Sequence, residues 1–261
     1  MSIFDLSDRI VVITGGYGYL GAGITKGLLE FNCKVIVAGR SYEKFVHAFQ
    51  GVNSSRLFFK EIDVLEKKSI DNCIKEVVSE FGRIDVLINN AHSVKGDDIE
   101  EINEDDLFYT FEAVMGSVYK CISSVIPVMK NQRYGKIVNV SSMYGLVSPD
   151  PDLYKDESFR KYFNPPHYGA GKAGILQLTR YFANYLGAYN VFVNAVSPGP
   201  FPNKEVQNKD PEFVKKLESK TSLKKIGRPR DLVGVFVLLS SDASEFITGQ
   251  NFVVDGGWIS K

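Results

Sequence analysis

The sequence predicts a doubly wound α/β domain, in which a parallel sheet of about seven strands carries helices on both faces. Short β-branched runs alternate with longer helical patterns along all 261 residues, as in βαβ units joined by right-handed crossovers. Runs such as VVIT and VLIN are apolar almost throughout, which is typical of strands buried on both faces. We predict a single domain over residues 1–261, because this length suits one α/β core.

Seven segments have the composition of strands, and five have the periodicity of helices. The predicted strands are Ile10–Thr14, Lys34–Ala38, Leu57–Ile62, Val86–Asn89, Lys136–Ser141, Val191–Val196 and Asn251–Val254. The predicted helices lie near residues 20–31, 66–80, 104–130, 168–186 and 229–240. Gly187 follows the fourth helix directly, and we predict that it forms the C-terminal cap of that helix.

Two segments interrupt this alternation. Residues 146–167 contain four prolines and have no clean period, so we predict an inserted loop at the active site. Residues 199–222 begin Gly-Pro-Phe-Pro and continue as a charged, weakly helical segment, which we predict to be a substrate loop. Long loops inside compact domains are more often lids or binding loops than simple connections.

Charge and cysteine content exclude several classes of function. The 31 basic and 31 acidic residues cancel, so no overall field favours nucleic acid or an anionic membrane. The N-terminus carries charges where a secretory signal needs an apolar segment, and the longest apolar run after it, Val235–Leu239, is far shorter than a membrane span. Three separated cysteines, Cys33, Cys73 and Cys121, predict reduced thiols and no metal site. We therefore expect a cytoplasmic protein.

A glycine-rich turn follows the first strand and opens the first helix. Its sequence is Thr14-Gly15-Gly16-Tyr17-Gly18-Tyr19-Leu20-Gly21. Glycines let the backbone approach a pyrophosphate closely, and the N-terminus of the helix supplies free N–H groups. A turn that is glycine-rich for structural reasons alone is the alternative. The position of this turn, at the first strand-to-helix junction, favours a Rossmann-type dinucleotide site.

The ends of the next strands predict which dinucleotide binds. The second strand ends Val37-Ala38-Gly39-Arg40 and lacks the carboxylate that would bind a ribose 2′-hydroxyl. Arg40 is able to contact a 2′-phosphate instead, so we predict NADP(H) as the preferred cofactor, with NAD(H) possible. A plain surface arginine is the alternative. Asp63-Val64 is expected to touch the adenine, and Asn89-Asn90-Ala91 to line the carboxyl edge of the sheet.

A tyrosine and a lysine four residues apart form the predicted catalytic core. Tyr168 and Lys172 lie on the same face of a predicted helix. The lysine ammonium is expected to lower the tyrosine pKa, so that the phenol exchanges a proton with a carbonyl or an alcohol. A solvated helix face is the alternative, but small and apolar residues follow at 173–176. Ser141-Ser142 ends the preceding strand, where a serine hydroxyl is able to bond the substrate oxygen.

These motifs together resemble the short-chain dehydrogenase/reductase family, in its compact single-domain branch. The resemblance implies a nicotinamide-dependent enzyme with Ser142, Tyr168 and Lys172 as catalytic residues, and with Pro198-Gly199 beside the nicotinamide. It also implies a small-molecule substrate and a homodimer or homotetramer built on helix–helix and C-terminal contacts. The matching segments are the glycine turn, Asn89–Ala91, Ile137–Ser142, Tyr168–Lys172, Asn194–Gly199 and Ile247–Gly257.

Three departures from the family pattern keep alternatives open. Tyr19 stands at a usual glycine position, which resembles the epimerase and dehydratase branch. Val114 stands where the family has an asparagine that holds a proton-relay water, so Ser117 and His167 become candidate substitutes, and a binding protein without chemistry becomes an alternative function. The insertion at 146–167 places Tyr168 twenty-six positions after Ser142.

The insertion itself resembles a subgroup of flagellin-modification oxidoreductases linked to nonulosonic-acid sugar biosynthesis. That resemblance implies a sugar, sugar-phosphate or nucleotide-sugar substrate. The insertion carries aromatic residues together with Arg160 and Lys161. We predict a lid that stacks on a sugar ring and meets an anionic group, with an oligomer contact or a solvated loop as the alternative.

Overall fold

Seven parallel strands form one sheet in the order β3-β2-β1-β4-β5-β6-β7, which confirms the predicted fold class. The computed structural model describes residues 2–96, 101–160 and 162–260, apart from the side chains of Glu157 and Arg160. Strands β2 and β3 are added on one side of β1, and β4 to β7 are added on the other side. The strand order therefore reverses between β1 and β4, which is the point where doubly wound sheets bind ligands. The strands are β1 Ile10–Thr14, β2 Lys34–Gly39, β3 Leu57–Glu61, β4 Val86–Asn89, β5 Gly135–Val140, β6 Val191–Pro198 and β7 Asn251–Val254.

Helices cover both faces of this sheet. Alternate residues of β1 point to opposite faces, so that Ile10 and Val12 join one buried apolar cluster while Val11 and Ile13 join the other. This double burial explains the nearly continuous apolar strands. The helices are α1 Tyr19–Leu29, α2 Tyr42–Ala48, α3 Lys67–Phe81, α4 Glu104–Phe111, α5 Ser117–Gln132, α6 Glu157–Arg160, α7 Pro166–Leu186, α8 Lys204–Lys209, α9 Pro211–Lys220 and α10 Val233–Ser240.

The structure differs from the predicted elements at several places. Helix α2 was not predicted, and the predicted helix at 104–130 is divided by a π-helical segment, Glu112–Gly116. Residues 229–232 form a 3-10 turn before α10 begins. Gly187 does cap α7, but in right-handed geometry, and the left-handed residue is Asn190, three positions later. These differences concern helix ends and short helices, while every predicted strand is present.

One stretch of helix within the described residues, Glu104–Gln132, is long and apolar enough to cross a membrane by length and composition alone. Its side chains at Val114, Val118, Ile122 and Val125 belong to the buried cluster against the sheet, as those of a core helix do. No group of three or more His, Cys, Asp or Glu able to hold a metal occurs in residues 2–96, 101–160 and 162–260.

The insertion at 146–167 packs on helices α8 and α9, and we call these segments together the insertion lobe. Its buried core is separate from the two clusters against the sheet. Phe213 of α9 lies 5.8 Å from the ring of Tyr154 and 5.2 Å from that of Phe159. An ion pair of 2.6 Å between Lys220 and Asp150 joins the same two segments. Lys161 and the Arg160 side chain, both assigned to a lid, lie outside the described part of the chain.

Candidate active site

The glycine turn has the backbone geometry that a bound phosphate requires. Gly15 has a φ of +62°, in the left-handed region that favours glycine, and its N–H donates to the Ala38 carbonyl at 2.7 Å. A Cβ on Gly21 would lie 2.4 Å from the Gly15 oxygen, so no side chain fits there. No side chain caps the start of α1, so its first N–H groups remain available to an anion.

The end of β4 is tied directly to this turn. The Asn90 side-chain amide donates to the carbonyl oxygens of Thr14 and Gly15, each at 3.0 Å. The Thr14 hydroxyl accepts the N–H groups of Asn90 and Ala91, at 3.0 and 3.1 Å. These bonds fix the separation of β1 and β4 at the carboxyl edge, where the sheet opens into a cleft.

The catalytic candidates come together from β5 and α7. Ser142 follows β5 and caps a short 3-10 turn, since its hydroxyl accepts the Tyr144 N–H at 3.1 Å. Lys172 is buried and donates from Nζ to the Val140 carbonyl at 2.8 Å. Its Nζ lies 5.7 Å from the centre of the Tyr168 ring. A Cβ on Gly145 would lie 2.8 Å from the Lys172 carbonyl carbon, so this glycine lets the serine turn pack directly on α7.

Burial determines the titration of the catalytic pair. It raises the pKa of Tyr168, and a hydrogen bond with Ser142 opposes this shift only in part. It lowers the pKa of Lys172 to about 7. The prediction that the lysine lowers the tyrosine pKa is therefore wrong for the protein without ligand, because removal of the phenol from water outweighs every favourable contact. Tyr168 holds its proton at neutral pH.

A chain of buried amides sets the position of α7 on the sheet. The Asn89 amide of β4 donates to the Asn139 side chain of β5 at 2.8 Å. Asn139 in turn donates to the Thr179 hydroxyl of α7 at 3.0 Å, and Thr179 donates to the Ile175 carbonyl at 2.8 Å. Buried polar groups bonded in this way specify one register between a helix and a sheet.

The cleft formed by these elements has a volume of about 510 Å³, within the range of small-molecule and cofactor sites. The structure brings every residue predicted for the site into its lining. These residues are Gly15, Tyr17, Gly18, Tyr19, Leu20, Gly21, Arg40, Asp63, Val64, Asn90, Ala91, Ser142, Tyr168, Lys172, Pro198 and Gly199. The lining also contains Gly39, together with Phe201 and Asn203 of the predicted substrate loop. Residues that the sequence did not single out line it too, among them His92, Ser93, Tyr109 and Ala113.

The insertion lobe contacts two of the segments that form this cleft. The Gln207 amide of α8 donates to the hydroxyl of Tyr19 in the glycine turn at 3.3 Å. The hydroxyls of Tyr144, beside the catalytic serine, and Tyr154, in the insertion, lie 2.9 Å apart. The lobe therefore contacts the predicted phosphate site and the short 3-10 turn that Ser142 caps.

A family model described as enoyl-(acyl carrier protein) reductase matches residues 19–259, nearly the whole chain. The chain belongs to the short-chain dehydrogenase/reductase family. It is therefore an oxidoreductase of the class that interconverts carbonyls and alcohols with a nicotinamide dinucleotide.

Relatives in the short-chain dehydrogenase/reductase family carry out different oxidoreductions. A 7alpha-hydroxysteroid dehydrogenase from Bacteroides fragilis is 31% identical, over 96% of this chain and 94% of that one. A 2-dehydro-3-deoxy-D-gluconate 5-dehydrogenase from Dickeya dadantii is 27% identical, over 100% and 99%. The structure of a gluconate 5-dehydrogenase from Burkholderia cenocepacia, in complex with NADP and tartrate, has a TM-score of 0.86 at 25% identity, over 99% and 98%.

The region around Val114 bears on the proton relay associated with this family. Val114 is buried, lies within the π-helical segment and packs beside Gly171 of α7. The helix thus departs from α geometry here without an asparagine. The Ser117 hydroxyl donates to the Ala113 carbonyl at 2.8 Å, and His167 Nε2 lies 2.9 Å from the Lys95 carbonyl. Neither of these two candidate substitutes lines the cleft.

His92 is a cleft residue that sequence reasoning missed. Its ring centre lies 6.1 Å from that of Tyr168, and the nearby Lys172 ammonium, together with desolvation, lowers its pKa. The signal for it was its position directly after Asn90-Ala91 at the carboxyl end of β4. His92 thus lies beside the predicted catalytic tyrosine, with its pKa held below the ordinary value.

Proposed function

We propose that this protein is an NADP(H)-dependent oxidoreductase that interconverts a carbonyl and a secondary alcohol on a sugar-derived substrate. The observation that carries the proposal is the position of Tyr168, Lys172 and Ser142 in the same cleft as an uncapped, glycine-rich helix N-terminus. Such a cleft holds a dinucleotide at one end and a reacting carbon at the other.

The preference for NADP(H) is supported by the end of β2. Arg40 lines the cleft with an exposed side chain, and no carboxylate is present at Gly39 to repel a 2′-phosphate. An arginine fork suits a phosphate in bidentate geometry. Asp63 also lines the cleft, which suits an adenine amine. NAD(H) remains the alternative cofactor, and paired titrations of the purified protein with NADPH and NADH separate the two.

The proposed reaction consists of a hydride transfer and a proton transfer. The nicotinamide, when bound, supplies or accepts the hydride at the substrate carbon. Tyr168 holds its proton at neutral pH because burial raises its pKa, so it is in the form that protonates a carbonyl oxygen undergoing reduction. Ser142 is next to that phenol and supplies a second hydrogen bond to the same oxygen. Lys172, held by the Val140 carbonyl, positions the nicotinamide ribose.

The substrate proposal rests on relatives and on polar residues that line the cleft. Two of the proteins described above are named as dehydrogenases of gluconate or of a deoxygluconate. The cleft lining also contains Asn203, Ser93 and His92, and such polar groups suit hydroxyl-rich substrates. The test is a panel of sugar, sugar-acid and sugar-phosphate ketones and alcohols, assayed with both cofactors. Turnover of steroid or acyl substrates alone would contradict the proposal.

Two alternative functions remain distinguishable by experiment. An epimerase or dehydratase, which the Tyr19 position resembles, regenerates its dinucleotide and gives no net change in reduced cofactor. A binding protein without chemistry would bind the dinucleotide and turn over none of the panel. Stoichiometric formation or consumption of reduced cofactor in a single-turnover assay supports the proposed oxidoreductase over both.

We also propose a homo-oligomer in the cytoplasm. Tyr181 and Tyr185 of α7 and Tyr119 of α5 are exposed, and exposed aromatic side chains on long helices suit a helix–helix interface. Cys33, Cys73 and Cys121 are free and buried, as in a reducing compartment. Light scattering coupled to gel filtration measures the assembly, and cell fractionation tests the location.

A further inference from the structure

The backbone at the end of β2 does not itself require a glycine. Gly39 pairs with Glu61 of β3 in a regular parallel ladder, and it is not one of the glycines with positive φ. Glycine is obligatory only where the backbone is left-handed or where another group approaches closely. The absence of a side chain at residue 39 must therefore have a cause outside its own backbone.

That cause is the ring of Tyr17, which comes from the glycine turn. A Cβ on Gly39 would lie 2.3 Å from Tyr17 Cε1 and 2.8 Å from its hydroxyl oxygen, well inside the ordinary contact distance of about 3.5–4.0 Å between carbon atoms. The ring is held in place because its hydroxyl accepts the Arg40 N–H at 3.0 Å. It also packs against the buried cluster beneath α1.

We propose that Tyr17 determines the choice of dinucleotide by occupying the volume that a carboxylate side chain at residue 39 would need. This inference rests on the proposed function, since it concerns the cofactor of that function. With Tyr17 in place, the end of β2 cannot present the carboxylate that would bind the two ribose hydroxyls of NAD(H). The adenosine end of the cleft is therefore left with the phenol and with Arg40.

Both of those groups are hydrogen-bond donors. The Tyr17 hydroxyl uses a lone pair for the Arg40 N–H and keeps its own hydrogen free to donate. The Arg40 guanidinium has no ion-pair or hydrogen-bond partner within residues 2–96, 101–160 and 162–260. A guanidinium, which has no acceptor of its own, beside a phenol that is able to donate favours a 2′-phosphate over a 2′-hydroxyl. Tyr17 thus acts in two ways: its ring excludes a carboxylate side chain at residue 39, and its hydroxyl donates a hydrogen bond to the 2′-phosphate.

The test is a double-mutant cycle read by direct binding, without any substrate. Dissociation constants for NADPH and NADH are measured by calorimetry for the wild-type chain, Gly39→Asp, Tyr17→Ser and the double variant. Gly39→Ala adds a methyl without charge and isolates the steric contribution. Tyr42→Ser, at an exposed tyrosine outside the cleft, is the matched control and is expected to bind both dinucleotides as the wild type does. Thermal melting of each variant checks its folding.

We expect Gly39→Asp and Gly39→Ala each to weaken both dinucleotides by about tenfold, the typical effect of an overpacked contact. In the double variant the carboxylate has room, so NADH should bind about tenfold more tightly than it does to Gly39→Asp, and the preference should reverse. Reversal by Gly39→Asp alone, or unchanged binding by Gly39→Ala, overturns the inference and leaves the proposed function standing. A wild-type chain that binds NADH more tightly, or neither dinucleotide, overturns the proposed cofactor and the inference with it.

Discussion

The hydroxyl groups of Tyr144 and Tyr154 lie 2.9 Å apart and hydrogen-bond to each other in a buried setting. Tyr144 belongs to the 3-10 turn that Ser142 caps, and Tyr154 belongs to the insertion. Burial raises the pKa of both phenols, so both remain protonated and the bond persists across the neutral range. The insertion is therefore joined to the turn that Ser142, the proposed catalytic serine, caps.

The first prediction concerns this bond. Tyr154→Phe leaves the Tyr144 hydroxyl buried without its partner, which should cost roughly 1–3 kcal/mol of unfolding free energy. Because Tyr144 shares a turn with Ser142, kcat should fall while dinucleotide affinity stays the same. Tyr119→Phe, at an exposed tyrosine, is the matched control. Equal kcat for Tyr154→Phe and wild type would show that the insertion does not position the serine.

The second prediction concerns the proton donor. Tyr168→Phe removes the phenol hydroxyl and should lower kcat by a factor on the order of 10²–10⁴. Dinucleotide binding should change little, because the hydroxyl is assigned to the substrate oxygen. Lys172→Ala, in contrast, should weaken both turnover and binding. Retention of most of the turnover by Tyr168→Phe would remove the phenol from the proposed mechanism.

The third prediction is a pH dependence of stability. The pKa of Lys172 is about 7 in the folded protein and 10.5 in its ordinary state. Between these two pH values the unfolded chain binds more protons than the folded protein, so this group makes the unfolding free energy rise with pH. The penalty, which is the free-energy cost of burying a charged ammonium, is complete below pH 7. Lys172→Met removes the penalty. Without dinucleotide, its stability gain over wild type should therefore be largest near pH 6.

By pH 9, that gain from Lys172→Met should shrink by up to roughly 3 kcal/mol. Thermal or urea melts at the two pH values give the difference directly. Lys75→Met, at an exposed lysine of α3, is the control, and its effect is expected to be the same at both. A Lys172→Met effect that does not vary with pH would mean that the lysine is not desolvated.

The fourth prediction concerns the insertion lobe. Phe213→Ala deletes the ring on which Tyr154 and Phe159 pack, and a buried Phe→Ala change costs about 3–5 kcal/mol. Because this core is separate from the sheet clusters, the loss should appear as local opening. Limited proteolysis within 146–167 should accelerate, and KM for the substrate should rise while dinucleotide affinity is kept.

Phe108→Ala, at an exposed phenylalanine of α4, is the control for that experiment. If the sheet of the Phe213→Ala variant were cleaved at the same rate as its insertion lobe, the lobe would not have a core of its own. An unchanged KM would favour a solvated loop or an oligomer contact over a lid.

Much of the fold was predictable from sequence, because strands buried on both faces leave continuous apolar runs. Several site residues were predictable for a related reason: they come at the ends of those strands, as Asn90 comes directly after β4 and Ser142 two residues after β5. Helix α2 was missed because it is only seven residues long and none of its residues is fully buried, although Phe45 and Ala48 pack partly against the core. Ser41, whose hydroxyl caps the helix, was a further local signal.

Contacts between distant segments were beyond sequence reasoning. The Tyr17 ring against Gly39, and Tyr144 against Tyr154, depend on how loops meet after folding. The Tyr168 pKa was predicted in the wrong direction, because the sequence shows that a lysine is near but not how far water is removed. Spacing alone therefore predicts which candidate groups share the cleft but not their protonation.

The π-helical segment Glu112–Gly116 has a consequence for how this chain tolerates length changes. A π turn contains one residue more than the α-helix on either side needs. Deleting one residue there would restore a regular helix, yet it would rotate α4 by about 100° about the axis of α5. Thr110, whose hydroxyl accepts the Lys95 N–H at 3.0 Å, would then face elsewhere. The additional residue therefore lets α5 pack against the sheet while α4, which continues the same helix in the other direction, lines the cleft with Tyr109.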